Sequence, residues 1–289
     1  MSELVITGRA PVSLKVHKCM RKTRKGKIKT AAESKSGLAI KLTILILLGF
    51  TVYGFLTFDY KDIDFAKAIS TTFGNVKVLF AQPKLSSGSV SGMLHALLVT
   101  FSLGVIPTIS GAIIAVFVAL MCAKNIANPK VAIAIKSFAA FIRAVPTILW
   151  VLIFTISAGL GSVAAVVGLT FHSAAYLIKA YAESIETMDE GVIEALKASG
   201  ASYWQIIFQA VLPSSISYMV AWTFLRFEVN FVNALAVGAA AGAGGIGFGL
   251  FMAGNFYFDL REIGFLTYII VAAVIVLEIV ATKVKAKVR

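Results

Sequence analysis

The residues with the most chemistry to offer sit inside an apolar run. Ser215, Met219, Trp222, Arg226, Asn230 and Asn233 recur at three- and four-residue steps, which on a helix sets them along one face. A guanidinium at membrane depth costs about 2.5–3.5 kcal/mol on insertion scales, so it faces a partner or a water-filled cavity. Two roles are therefore open to Arg226, Glu228, Asn230 and Asn233. They form a structural network between neighbouring helices, or they line a polar path for a passing solute, with Arg226 suited to an oxyanion. Glu228 points to nearly the opposite side of a helix from Arg226 and is not its intrahelical mate. Arg226 lies about 13 residues into its span, roughly 20 Å, which is past the midplane towards the outside. Arg143 lies nearer the inner end of another span, where its stem allows snorkelling.

Other motifs speak against catalysis in this chain. Gly242-Ala-Gly244-Gly245-Ile-Gly247 matches G-x-G-x-x-G, but no strand–helix context surrounds it. It reads as a turn between membrane helices whose glycines allow close approach. The P-loop pattern G-x-x-x-x-G-K-[ST] is missing: the one Gly-Lys pair, Gly26-Lys27, is followed by Ile28. If ATP drives this protein, another chain must bind and hydrolyse it with its Mg, and the expectation is no cofactor and no metal here. His17, His95 and His172 are scattered, and no Cys/His or carboxylate cluster has metal spacing.

One polar stretch stands out between two apolar runs. Thr187 with Glu190, and Ser202 with Gln205, fit capping boxes, and Gly200 between them suits a left-handed helix end. The pattern predicts a helix over about 188–199, a sharp turn, and a new helix. Val192, Ile193 and Leu196 share its apolar face, and Glu194 with Lys197 is close enough to interact.

The elements that hold these residues must cross a bilayer. The chain is 58% hydrophobic and 14% charged, with a mean hydropathy of +0.88, against about 25% charged in soluble domains. Spans of about 20 apolar residues are expected at 38–58, within 90–121, and at 137–157, 162–182, 213–237 and 263–282. Residues 59–89 form an external loop with a small helix near 65–80, and 122–136 is a basic connection. Residues 1–37 read as a basic cytoplasmic tail ahead of a transmembrane domain at 38–289, and the first span as an uncleaved anchor. The formal net charge of +13 is concentrated in that tail, which suggests topology or anionic lipid rather than nucleic acid. Even-side segments carry most Lys and Arg, so both termini are expected to be cytoplasmic, and with them the loop at 183–212.

Glu194-Ala195-Leu196, then Gly200, Ile207 and Leu212-Pro213 resemble the EAA loop of ABC importer permeases, with Leu196 where Ala is usual. Phe141 to Pro146, Arg226 to Asn230 and Gly242 to Gly247, in that order, resemble the phosphonate-transport permease family over about 90–285. The resemblance implies an all-α, type I ABC importer permease fold of about six transmembrane helices in the bacterial inner membrane. It also implies a second permease, identical or paralogous, two ATPase subunits and an extracytoplasmic solute-binding protein. Glu194, Ala195, Leu196 and Gly200 would couple to the ATPase, with Leu212 and Pro213 fixing the loop's exit. Gly244, Gly245 and Gly247 would shape the external mouth. The implied solutes are phosphonates, phosphite, phosphate or similar oxyanions; the same machine for another solute, such as an amino acid, and a stand-alone channel or carrier remain the alternatives.

Overall fold

A computed structural model describes residues 21–22, 28–29, 35–58 and 63–288. Most of the expected tail at 1–37 lies outside them, as does Cys19. The chain divides into two units, Met1–Ala68 and Ile69–Arg289. In the first, β1 (Arg21–Lys22) pairs antiparallel with β2 (Ile28–Lys29), a short ladder absent from the sequence expectation. There α1 (Lys35–Thr57) is apolar on every face and long enough to cross a membrane.

The unit boundary falls within α2 (Phe65–Ala81); in the second unit, α3 (Val90–Leu120) begins at the Ser89 side-chain cap. Then come α4 (Pro129–Ala144), α5 (Thr147–Ala158) and α6 (Ser162–Glu186). Next, α7 (Glu190–Ala198) leads to α8 (Tyr203–Ile206), a π-helical turn at Ile207–Val211, and α9 (Leu212–Ala240). Last are α10 (Gly245–Asn255) and α11 (Leu260–Val288). The core is built where α6 packs on α3, α4, α5 and α9.

The third expected span, 137–157, is not one helix. It is α4 and α5, bent by 90°, and α4 begins in the stretch expected to be a connection. Pro146 has no N–H and excludes helical backbone from the residue before it; Val145 is accordingly extended (φ −87, ψ 128). The indole of Trp150 donates to the Ile142 carbonyl at 2.8 Å, covering one acceptor that the break exposes.

Contacts at the two ends of the bundle show what the broken pair does. At one end, Lys124 and Lys136 meet Glu186, so the end of α3, the body of α4 and the end of α6 lie together. At the other, the Gly161 N–H donates to the Ala241 carbonyl, and the Ile246 N–H donates to Thr100 near the start of α3. Since α4 leaves from the first end and α5 arrives at the second, the pair crosses the bundle once, as a broken span. Counting it with α1, α3, α6, α9 and α11, the described residues hold up to six segments long and apolar enough to cross a membrane.

Candidate functional site

The stretch 189–213 is closed by its own backbone. The Asp189 side chain accepts from the Gly191 N–H at 2.9 Å and starts α7; Thr187, expected as the cap, instead donates to the Ser184 carbonyl. At the far end the Ala201 N–H reaches the Leu196 carbonyl and the Gly200 N–H the Lys197 carbonyl, each at 3.0 Å. That pattern is a Schellman motif, and Gly200 takes its left-handed position at φ +84. Ser202 and Gln205 then form the expected capping box.

Ile193 is buried, and Leu196 packs half-buried against the same cluster, which includes Tyr181, Ile185 and Ile206. Val192 does not share that face; it is exposed, as are Glu194, Ala195 and Gly200. Glu194 and Lys197 form no ion pair: the salt bridges among the described residues are Lys136–Glu186 and Lys179–Glu183. Leu212 and Pro213 do not open a fresh helix. Backbone runs on from α8, and the Leu212 N–H reaches back five residues to the Ile207 carbonyl. A wider turn accommodates the proline ring, which would otherwise clash with the carbonyl four residues earlier. Thus α7 is a short helix held at both ends and on one side, with a carboxylate on the side left open.

The second constellation lies deep in the bundle. Arg226 is midway between Leu212 and Ala240 and is 3% exposed. Its Nε donates to Ser173 Oγ at 3.0 Å and its Nη2 to His172 Nδ1 at 2.8 Å, while Tyr176 presents its ring 5.3 Å away. Accepting from arginine leaves the neutral His172 with its proton on Nε2. Thr147 Oγ1, in the first turn after the break, lies 3.1 Å from the same Nδ1.

Ser173 uses its whole hydrogen-bonding capacity. Its proton goes to the Leu169 carbonyl at 2.6 Å, and its lone pairs accept from Arg226 and from Asn230 Nδ2 at 2.8 Å. Asn230 also donates to Thr108 Oγ1 at 2.8 Å, and Thr108 to the Gly104 carbonyl at 2.7 Å. One chain of hydrogen bonds therefore joins α3, α5, α6 and α9.

Arg226 and Asn230 are in this network, whereas Glu228 and Asn233 are not. The latter two line a cleft of about 310 Å³ beside Glu278 of α11. Thr108, Ser173 and Thr147 were invisible to the sequence reading, since isolated Ser and Thr in apolar helices commonly bond their own backbone. His172 is, in the sequence, one of three scattered histidines with no cluster spacing. Arg143 bonds its own helix at the Ala139 carbonyl.

The glycine turn has positive φ at Gly242, Gly244 and Gly245, and brings α10 against α3 and α9. A methyl on Gly247 would overlap the Leu235 carbonyl, and one on Gly245 would meet the Thr100 hydroxyl.

Residues 111–285 match the family described as binding-protein-dependent transport system inner membrane component. Over 153 residues the chain is 31% identical to the phosphate-import permease protein PhnE of Mycolicibacterium smegmatis, covering 53% of this chain but only 29% of that protein. Over 186 residues it is 31% identical to the phosphite transport system permease protein PtxC of Stutzerimonas stutzeri, covering 64% of this chain and 67% of that one. A solved structure of the MetNI methionine ABC transporter, in inward-facing conformations, has a chain similar in fold. Its TM-score is 0.63 at 21% identity, covering 71% of this chain and all of that one.

Proposed function

The chain belongs to the family of binding-protein-dependent transport system inner membrane components, and on that premise we propose that it is the permease subunit of an ATP-driven importer for phosphonate or a related small oxyanion such as phosphite or phosphate. The observation that carries the solute class is its likeness to a phosphate-import and a phosphite permease. The fold shared with the methionine transporter chain supports the type I importer architecture and is silent on solute.

In this reading α7 docks in a groove of a separate ATPase, with Glu194, Ala195 and Leu196 at the contact. Gly200, Leu212 and Pro213 set its angle to the bundle. Two such ATPases, a second permease copy or paralogue, and an extracytoplasmic binding protein complete the machine. ATP and Mg belong to the ATPase subunits, and the permease is not itself an enzyme. The positive-inside rule puts α7 and both termini in the cytoplasm, so Gly244, Gly245 and Gly247 face the external mouth. Arg226, through Nε and Nη2, and Asn230 brace four helices.

Purified with its partners and placed in liposomes, the complex should accumulate phosphite or a phosphonate when ATP is supplied. Uptake of methionine in its place would assign the machine to another solute, and uptake by this chain alone would replace the importer with a carrier.

A further inference from the structure

Glu186, the last residue of α6, gathers three pieces of chain that are far apart in sequence. Its Oε1 accepts from the Lys124 backbone N–H at 2.8 Å and pairs with Lys136 Nζ at 2.5 Å. Beside it, the Ile185 carbonyl, exposed by the end of the helix, accepts from Asn125 Nδ2 at 2.9 Å. The turn after α3 and the middle of α4 are thereby fastened to the end of α6, three residues before Asp189 opens α7. The two charged side chains are 27% and 22% exposed, so solvent screens them less than a surface pair, and removing either leaves the other partly desolvated. Lys179–Glu183, at 3.5 Å and more than half exposed along one helix, has none of this reach.

The position matters because of what α4 leads to. Ile193 and Leu196 pack α7 onto a cluster that includes Tyr181 and Ile185 of α6, and only residues 187–189 separate the two helices, so a push on α7 reaches the end of α6. The charged tie from α6 to α4 is at Glu186. From there α4 runs to the break at Pro146, beyond which Thr147 meets His172 and, through it, Arg226. The bend and the buried network thus follow α6 through the apolar packing of Ala132, Ala139 and Ile142 and through the Glu186–Lys136 pair.

We propose that Glu186 is a positioning residue that, through Lys136, makes the broken span follow the movement of α7. This rests on reading α7 as the docking element for the ATPase. Without the pair, α7 and α6 respond to the ATPase while α4 lags, and ATP is spent without solute crossing.

The test is ATP hydrolysed per phosphite imported by the reconstituted full complex, for wild type, Glu186→Ala, Lys136→Met and the double variant Glu186→Ala with Lys136→Met. Each single change should lower uptake by about tenfold and leave hydrolysis within about twofold, raising the ratio, a coupling loss of the size two linked elements carry. The double variant should be no worse than the more affected single change, giving a double-mutant cycle that does not add. Should Glu186→Ala fail to accumulate, Glu186→Gln, which keeps an acceptor for the Lys124 N–H, takes its place under the same criterion. Wild-type ratios in the single variants, or single losses that simply add in the double variant, would overturn the inference alone. A wild-type complex showing no ATP-driven uptake would overturn the importer reading and the inference with it.

Discussion

The loop around α7 and the network around Arg226 hold themselves together in opposite ways. The loop's caps join residues two to five apart, as in Asp189 to Gly191, Ala201 to Leu196 and Ser202 to Gln205. Every bond from Arg226 and Asn230 to another helix crosses 53 to 122 residues. A unit closed locally keeps its shape while its outer side meets another chain, and each of its parts is worth little alone. A network closed between helices determines how those helices sit, and losing one member strands several polar groups where water does not reach. The first suits a lever and the second a pivot.

Breaking the buried region should have the largest effects. Gly247→Val places side-chain atoms where the Leu235 carbonyl stands, and the variant should not accumulate in membranes, as blotting of the membrane fraction would check. Arg226→Leu takes from Ser173 and from His172 one of the buried partners of each, at a cost of about 1.5–3 kcal/mol for each charged hydrogen bond lost. It should lower the melting temperature of the detergent-purified complex, and Arg226→Lys should fall between it and wild type. A variant that lost uptake at an unchanged melting temperature would move Arg226 from the pivot to the solute path.

Changes in the loop should be smaller. Gly200→Ala forces an L side chain into left-handed backbone at a cost of about 1–2 kcal/mol, and Ser202→Ala removes one cap at about 1 kcal/mol. Neither should alter the amount of protein in the membrane. Either one matching Arg226→Leu in thermal effect would erase the distinction between the regions.

The same contrast explains what could be read in advance. Gly200 and the Ser202–Gln205 box were legible because every participant lies within one turn. The start of α7 was misplaced to Thr187 because two side chains competed for the cap, and the loop around Asp189 favours the later one. Pro146 was visible, yet whether a proline kinks or breaks a span depends on partners such as Trp150 and His172 that tie down the bend. Arg226 and Asn230 were recognised by their cost at membrane depth. Ser173 and Thr108 resemble any other small polar residue in a membrane helix until the fold brings them to that arginine. Helical spacing alone put Asn233 with Arg226, and packing of α11 put it with Glu228.

The central claim is that α7 presents Glu194 to an ATPase carried on another chain. It is tested most directly by purifying the tagged protein from its own cells and measuring how much ATPase subunit comes with it, for wild type and for Glu194→Arg. A reversed charge in a docked contact costs several kcal/mol, so wild type should bring the ATPase in equal amount and the variant less than about a tenth of it at the same permease yield. Equal recovery with both, or no ATPase with either, would contradict the account.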